Sequence, residues 1–404
     1  MTVGIIGAGA SGMAAALAAA ENPNVQVILL ERQTRVGRKL QATGNGRCNL
    51  SNLNAQSGGY HGQEAEFVKP ALETMSPEKT LAWFATLGLV TVAEPSGKVY
   101  PYSDQANSVV DVLRLALCRE NITLQTGVEV QKIRKESDGF RVESTEETYF
   151  FDKLIVACGG LAGTKLGGTM SGYKLLAKMG HRSTKLRPAL VQLKSSWHGC
   201  VALKGVRANC HVQILRDGEL FAWSSGELQF TEHGLSGPVI FEISRDVCAG
   251  AGRWTALLDF LPQWSREDLL LALQKRRSMN LTTDDLLTGI LHNRLGRVIA
   301  KFADIRPCVP VAELTDSQLE AVCDGVKTFE CELTEPLGMD AAQVTAGGVL
   351  TGDFDPMTME SKLVPGLYAC GEVLDIDGDC GGYNLQWAWS SGYCAGNHAG
   401  KENL

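Results

Sequence analysis

Long hydrophobic runs are missing from this sequence. A helix that crosses a bilayer needs about 20 mostly apolar residues, and the nearest candidate, residues 13–20, is far shorter and rich in alanine. The chain also begins without the basic segment, apolar core and cleavage site of a signal peptide. We therefore expect no membrane span and no export, and we expect a cytoplasmic protein.

Cysteine spacings typical of metal or redox sites are missing as well, although the chain has 12 cysteines. They stand at irregular intervals, with no CxxC motif and no cluster of histidines and cysteines at metal-ligand spacing. This pattern predicts neither a disulfide framework nor a metal site. It is typical of a protein from a reducing cytosol.

A large excess of either charge is missing too. Lys and Arg number 38 against 45 for Asp and Glu, a net charge of -7, and the isoelectric point is about 5.6. Such a chain has no overall attraction to nucleic acid, although a local basic face could persist. With 404 residues the chain is too long for one compact domain, so we expect two or three.

The sequence does contain a dinucleotide-binding motif at its start. Residues 2–6 predict a β-strand, GAGASG follows at residues 7–12, and residues 13–21 predict an alanine-rich helix. A second apolar run, residues 25–30, ends at Glu31, where an acid can bond a ribose hydroxyl. This order predicts a Rossmann-like βαβ unit for FAD or NAD, and its position together with the following Arg32 favours FAD.

The glycines of this motif have separate roles. Gly7 makes the turn, Gly9 lets the backbone approach a pyrophosphate, and Gly12 lets the helix pack closely on the sheet. The first N–H groups of the helix then face the phosphates. The cofactor contacts predicted here are Gly7, Gly9, Ala10, Ser11, Gly12, Glu31 and Arg32.

Residues 37–52, GRKLQATGNGRCNLSN, form a second binding segment. The segment is too polar for a core element. Its glycines permit close backbone approach, its asparagines offer amide groups, and its basic residues supply positive charge beside a pyrophosphate or a flavin ring. The contacts predicted here are Arg38, Lys39, Leu40, Thr43, Gly44 and Asn45.

This segment resembles the hallmark of the YhiN-type flavoproteins, also called the BaiN/RdsA family. The resemblance continues through residues 226–238 (GELQFTEHGLSGP), 345–349 (TAGGV) and 363–392, so it spans nearly the whole chain. It implies an α/β fold in which a Rossmann-like FAD-binding domain of the two-dinucleotide-fold type is interrupted by an inserted β-barrel-like and helical domain.

The resemblance also implies a second half of the flavin site. Residues 153–157 predict a strand that ends at a glycine pair, residues 367–370 predict another, and residues 387–399 predict a helix. Glu372 is then expected to hold a ribityl hydroxyl, while the N–H groups at the helix start face the flavin pyrimidine. Residues 127–133 predict a further strand, in which Val130 is expected to contact adenine through its backbone. The contacts implied in this half are Val130, Ala157, Gly159, Gly160, Gly371, Glu372, Gly381, Gly382, Asn384, Leu385 and Gln386.

The middle of the chain has a different pattern. Short alternating runs at residues 188–262 predict an inserted antiparallel β domain, and helical spacing of leucines at residues 263–335 predicts an inserted helical subdomain. Residues 1–187 and 336–404 then form the FAD-binding domain. Thr231, His233 and Ser236 either line a substrate cleft or simply cap and turn the chain.

The helical stretch is locally basic, which has two interpretations. One is a solvated helix face offset by neighbouring aspartates, and the other is a surface that contacts an RNA backbone. The basic residues are Lys275, Arg276, Arg277, Arg294, Arg297, Lys301 and Arg306.

The expected reaction is reduction driven by NAD(P)H. No second GxGxxG motif follows a strand, so NAD(P)H should dock transiently as reductant. The resemblance implies three substrate classes: uridine in large-subunit rRNA, reduced to dihydrouridine, which is our first choice; a small enone such as an oxo-bile acid; and a small amine, which would be oxidised. A flavin-based redox sensor is the non-enzymatic alternative, and the oligomeric state is left open.

Cys48 is our candidate catalytic residue. A thiol near the flavin could protonate a substrate carbon while hydride arrives at its neighbour. The alternative is a small buried thiol that only packs, and Cys380 in the second flavin loop is a competing candidate.

Overall fold

A computed structural model describes residues 1–401 of the chain. These residues form two compact units, one made of Met1–Arg187 with the chain from Gln343 onward, and the other of Pro188–Ala342. Within residues 1–401, no helix is both long and apolar enough to cross a bilayer.

Residues 1–401 contain 21 strands and 11 α-helices. The strands are β1 (Thr2–Ile6), β2 (Gln26–Glu31), β3 (Ser51–Asn52), β4 (Tyr60–His61), β5 (Thr91–Ala93), β6 (Lys98–Pro101), β7 (Ile122–Thr126), β8 (Val130–Glu136), β9 (Gly139–Ser144), β10 (Thr148–Phe151), β11 (Lys153–Val156), β12 (Arg187–Ala189), β13 (Leu193–Ser195), β14 (Arg207–Arg216), β15 (Glu219–Phe230), β16 (Gly234–Ser236), β17 (Trp254–Asp259), β18 (Phe329–Pro336), β19 (Val344–Ala346), β20 (Leu367–Ala369) and β21 (Asp377–Gly378). The helices are α1 (Ala10–Ala19), α2 (Arg38–Gln41), α3 (Lys69–Thr74), α4 (Pro77–Thr86), α5 (Ala106–Ala116), α6 (Ser171–Lys178), α7 (Pro238–Ala249), α8 (Arg266–Lys275), α9 (Asn293–Phe302), α10 (Asp316–Lys327) and α11 (Tyr383–Ala399).

A five-stranded parallel sheet, in the order β20-β11-β1-β2-β7, organises the first unit. Its three adjacent strands β20, β11 and β1 are short apolar runs that are buried on both faces, the pattern expected of a parallel sheet covered by helices. β1 from the start of the chain and β20 from near its end both pair in parallel with β11. The carboxyl ends of these strands, which are far apart in sequence, therefore lie at the same end of the sheet.

Helices α1 and α11 pack closely against each other in this unit. A Cβ on Gly392 or Gly396 would overlap the backbone of Ser11 or Ala15. Small residues at this crossing therefore let the first and last helices approach, which aligns the predicted N-terminal and C-terminal halves of the cofactor site.

The second unit is built on a closed six-stranded barrel, in the order β13-β16-β15-β14-β17-β18. Helices α7 to α10 share its buried core, which includes Leu228, Phe230, Leu273, Ile299 and Val322. The predicted fold class, a Rossmann-like domain interrupted by a barrel-like and helical insertion, is confirmed.

Three local predictions differ from the structure. Helix α7 lies within residues 188–262, which were predicted as β structure, and β18 follows α10 within residues predicted as helical. Helix α7, the later helices and β18 share one buried core, and the compact unit that contains them runs from Pro188 to Ala342. In the first unit, the strand predicted at residues 127–133 runs from Val130 to Glu136.

Candidate functional site

The turn between β1 and α1 has the geometry that the glycine motif predicts. Gly7 has φ of +106°, and a Cβ there would lie 2.5 Å from the Ala157 carbonyl oxygen. A Cβ on Gly12 would overlap the Gly7 carbonyl oxygen. Positive φ and the absence of room for a side chain both require glycine, so this turn can only form with glycine at these two positions.

Gly9 is different, because space lies where its side chain would be. Beyond its own chain neighbours, no protein atom lies within 4 Å of the Cβ position of Gly9. Gly9 is the N-cap of α1, and the first intrahelical bond there is donated by the Met13 N–H to the Gly9 carbonyl oxygen. The preceding N–H groups, at Ala10, Ser11 and Gly12, have no partner within the helix, and the first turn has no acidic residue. This is a site suited to a diphosphate.

Glu31 stands beside that helix start, at the end of β2. Its Oε2 accepts a hydrogen bond from the Ala8 N–H at 2.8 Å, and its Oε1 accepts one from the Gln33 N–H at 2.8 Å. Each carboxylate oxygen has a second lone pair that can accept a ribose hydroxyl. The backbone thus fixes the carboxylate at the position where a dinucleotide-binding unit needs it.

Two nearby arginines and the predicted adenine contact lie around Glu31. Arg32 donates to the Gly167 carbonyl oxygen at 2.9 Å, and Arg38 donates to the Gln33 side chain at 3.0 Å. The Val128 N–H donates to the Glu31 carbonyl oxygen at 2.9 Å, which brings the segment before Val130 next to Glu31, the predicted ribose contact. The predicted contacts Ala157 and Gly159 follow β11, and no protein atom lies within 4 Å of a Cβ on Gly159.

A second cluster joins four segments of the chain. Lys39 Nζ lies 2.7 Å from Glu372 Oε2, and the Thr345 N–H donates to Glu372 Oε1 at 2.8 Å. A Cβ on Gly160 would lie 2.5 Å from both Glu372 Oε1 and Thr345 Oγ1. The structure therefore brings together Lys39, Gly160 and Glu372, which the sequence predicted as cofactor contacts.

The segment of residues 37–52 also meets the start of α11. Gly44 and Asn45 take left-handed conformations, with φ of 58° and 55°. Asn52 Nδ2 donates to the Gly381 carbonyl oxygen at 2.8 Å, and a Cβ on Gly382 would overlap the Ser51 backbone. The two predicted cofactor segments thus lie side by side at the N-terminus of a 17-residue helix.

Four predicted contacts have side chains that already bond or pack within the protein. The Asn384 amide bonds both the N–H and the carbonyl oxygen of Gly378, Leu40 is buried, and Thr43 Oγ1 donates to the Leu40 carbonyl oxygen. The Gln386 side chain is fully buried, where it accepts from Ser51 and donates to Met75, Thr80 and Ser390. Its N–H bonds Gly382. The predicted contact between Gln386 and a cofactor therefore has no support in this geometry.

Cys48 is fully buried. Burial raises the pKa of the Cys48 thiol to about 12, against a smaller lowering effect of the neighbouring Thr43 hydroxyl. A substrate cannot reach this thiol in the present conformation, which favours the packing interpretation. Cys380 is partly exposed.

Sequence reasoning missed a histidine–carboxylate pair at the start of α11. His61 Nε2 lies 2.7 Å from Asp379 Oδ1, and the two residues are 318 positions apart. A lone histidine in a polar loop has no periodic signal, so only Asp379, which lies two residues before Gly381, could have drawn attention to this place.

The insertion offers less support for a site of its own. Thr231 Oγ1 donates to the Gly234 carbonyl oxygen and accepts from the His233 N–H, while Ser236 is buried in β16. Thr231 therefore stabilises a turn, as the simpler interpretation of that motif predicts.

Most of the arginines of the basic stretch bond within the second unit. Arg277 pairs with Asp316 at 2.7 Å and donates to the Leu314 carbonyl oxygen at 2.6 Å. Arg276, Arg294 and Arg297 donate to backbone carbonyl oxygens. Lys275, Arg294, Arg297, Lys301 and Arg306 are exposed.

Comparison with known proteins gives matches along the whole chain. The model of the HI0933-like protein Rossmann domain matches residues 1–398. A 3-dehydro-bile acid delta(4,6)-reductase of Clostridium scindens is 40% identical, with 98% of each chain covered. A ribosomal RNA dihydrouridine synthase of Escherichia coli is 32% identical, with 97% of this chain and 96% of the relative covered. A 3-ketosteroid delta1-dehydrogenase structure from Sterolibacterium denitrificans has the same fold at 13% identity, with a TM-score of 0.51 and 99% of both chains covered.

Proposed function

The chain belongs to the HI0933-like family of Rossmann-domain proteins, and from this premise we propose that it is an FAD-dependent reductase driven by NAD(P)H. Its proposed reaction is the reduction of a carbon–carbon double bond that is conjugated to a carbonyl group in a small molecule. Four sequence motifs predicted a resemblance to the BaiN/RdsA family. The match to the bile acid reductase and to the ribosomal RNA dihydrouridine synthase confirms this resemblance.

The residues of the first unit fit FAD. The free space at Gly9 and the first N–H groups of α1 suit a diphosphate, and the fixed Glu31 carboxylate suits a ribose hydroxyl. Lys39 and Glu372 form the polar group that would hold the ribityl chain. When bound, the flavin supplies two-electron chemistry, accepting hydride from NAD(P)H and passing it to the substrate.

NAD(P)H is proposed to dock transiently. The second unit is a barrel with helices, and the glycine motif of the first unit is already assigned to FAD. The reductant and the substrate would then use the flavin in turn, which is the arrangement of a two-step reductase.

The choice of a small molecule over RNA depends on one observation. Four of the seven basic residues that suggested an RNA surface, Arg276, Arg277, Arg294 and Arg297, use their guanidinium groups on carbonyl oxygens or on Asp316. Arg294 and Arg297 are exposed, but part of each guanidinium group already bonds a carbonyl oxygen. A guanidinium that bonds the protein is less available to phosphate, so this stretch should bind RNA weakly in a chain of net charge -7. The higher identity to the bile acid reductase agrees with this choice.

Ribosomal RNA remains the second candidate, because a relative at 32% identity is named a ribosomal RNA dihydrouridine synthase. Both reactions add hydride and a proton across a polarised double bond, so the proposed flavin site would serve either. They differ in what must reach the flavin.

The test uses the purified full-length protein. Its bound flavin is released and identified by chromatography, and NADH and NADPH are tested separately as reductants. The flavoprotein is then given a 3-oxo bile acid with double bonds at positions 4 and 6, large-subunit rRNA that lacks dihydrouridine, or a small primary amine with oxygen. We expect NAD(P)H-dependent saturation of the enone. Conversion of the RNA alone or oxidation of the amine alone would replace the proposal with one of the other two classes, and flavin reduction without any turnover would favour a redox sensor.

A further inference from the structure

His61, in β4, and Asp379, directly after β21, form a half-exposed pair. β4 and β21 are antiparallel, with His61 opposite Asp377, and the Asp379 N–H donates to the Gly59 carbonyl oxygen at 2.9 Å. These backbone bonds hold His61 Nε2 at 2.7 Å from Asp379 Oδ1. The side chains are 38% and 44% exposed, so solvent can return a proton to the imidazole.

The pair lies where the two predicted cofactor segments meet. Asp379 is two residues before Gly381, whose carbonyl oxygen accepts from Asn52. Tyr60, the neighbour of His61, donates its hydroxyl to the Tyr383 carbonyl oxygen at 3.1 Å, in the first turn of α11. The histidine is therefore adjacent to the helix N-terminus that we assign to the flavin.

The groups around His61 are mostly acidic. Asp379 bonds it, Asp377 stands opposite it, and Asp375 accepts from the Gln63 N–H at 3.2 Å. The phenol rings of Tyr60 and Tyr383 contact each other edge to face, and Lys98 approaches Gly381, two residues after Asp379. The hydrogen bond between Asp379 and His61 Nε2 holds the imidazole ring in place.

We propose that His61 is the proton donor to the substrate, with Asp379 as its positioning residue. This inference rests on the proposed function. Asp379 accepts from Nε2–H, which leaves Nδ1–H free to donate. As hydride adds to the β-carbon of the enone, the Nδ1 proton passes to the α-carbon, and the π bond is replaced by two C–H bonds. The neutral imidazole then takes a proton from solvent, so atoms and electrons balance.

The experiment compares His61→Gln and Asp379→Asn with His211→Gln. His211 is a histidine of the barrel unit that bonds Ser225 and serves as the matched control. Anaerobic stopped-flow absorbance measures two steps separately: flavin reduction by NAD(P)H, and reoxidation by the 4,6-unsaturated 3-oxo bile acid. General acid catalysis contributes about 100-fold to 10,000-fold, so we expect reoxidation by the enone to slow at least about 100-fold in His61→Gln. Flavin reduction should stay within about twofold, and free imidazole should restore part of the rate in His61→Ala.

Two binding readouts distinguish chemistry from structure. The affinity of the apoprotein for FAD, and the affinity of the oxidised flavoprotein for the enone, should be unchanged in His61→Gln, since a proton donor acts in the transition state and not in the complex. A wild-type reoxidation rate in His61→Gln, or a loss explained by weaker flavin or enone binding, would overturn the assignment while leaving the proposed function intact. An enone that fails to reoxidise the wild-type protein would overturn both.

Discussion

The two glycines at the start of α1 give a sharp test of the cofactor site, because alanine should reduce fold stability at one of them and FAD affinity at the other. A Cβ at Gly12 overlaps the Gly7 carbonyl oxygen and lies 3.3 Å from the Ala157 side chain, whereas a Cβ at Gly9 has no protein atom within 4 Å. Gly9 also has φ of -80°, which alanine adopts readily.

Gly12→Ala should destabilise the fold. Insertion of a methyl group into a packed contact costs about 1–3 kcal/mol, partly offset by the roughly 0.5–1 kcal/mol that alanine gains over glycine in a helix. The net loss of about 1–2 kcal/mol should lower the melting temperature of the apoprotein by several degrees, at roughly 2–4 °C per kcal/mol for a unit of this size. The measurement is thermal unfolding without flavin.

Gly9→Ala should instead melt like the wild-type apoprotein and bind FAD poorly. Its methyl group would occupy the space through which the backbone approaches the diphosphate, so we expect a loss in FAD affinity of at least about tenfold, or 1.4 kcal/mol, measured by quenching of flavin fluorescence. Equal destabilisation by the two substitutions, or wild-type FAD affinity in Gly9→Ala, would refute the assignment of this space to the diphosphate.

Three further predictions concern other residues. Cys48, with its buried thiol and raised pKa, should react with a thiol reagent only on unfolding, whereas exposed Cys118 should react at once; rapid labelling of Cys48 in the native protein would revive it as a proton donor. Burial lowers the pKa of His181 despite the opposing effect of Asp353. Below about pH 6.5 the unfolded chain therefore binds a proton at His181 that the folded chain does not bind. Acid should reduce the free energy of unfolding by at most about 1.4 kcal/mol per pH unit through this residue. An identical pH dependence of the free energy of unfolding in His181→Gln would contradict this. Charge reversal at exposed Lys301 and Arg306 should leave the rate of enone reduction unchanged, and a loss of rate would show that these charges serve the reaction.

The glycine motif and Glu31 could be predicted because their requirements are local. A positive φ at Gly7 and the overlap at Gly12 depend on residues within one turn, and the spacing to Glu31 follows from one strand and one helix. Lys39 and Glu372, which lie 333 positions apart, were predicted separately. Their ion pair could not be predicted, because it depends on the sheet that contains both β1 and β20.

The insertion was harder to predict because its patterns mix. Phe329, Cys331 and Leu333 alternate inward along β18, but they directly follow a long stretch with helical spacing, so the change of period was missed. Gln386 illustrates another limit: its burial depends on side chains from β3, α4 and α11 that converge only in the fold. The same holds for His61 and Asp379.

A single-turnover experiment tests the central claim most directly. The purified flavoprotein is reduced with one equivalent of NAD(P)H without oxygen, and the 4,6-unsaturated 3-oxo bile acid is added while flavin absorbance is recorded. We predict that the flavin is fully reoxidised and that one double bond is saturated for each flavin. Flavin that stays reduced in the presence of the enone, but is reoxidised by large-subunit rRNA or only by oxygen, would contradict the account.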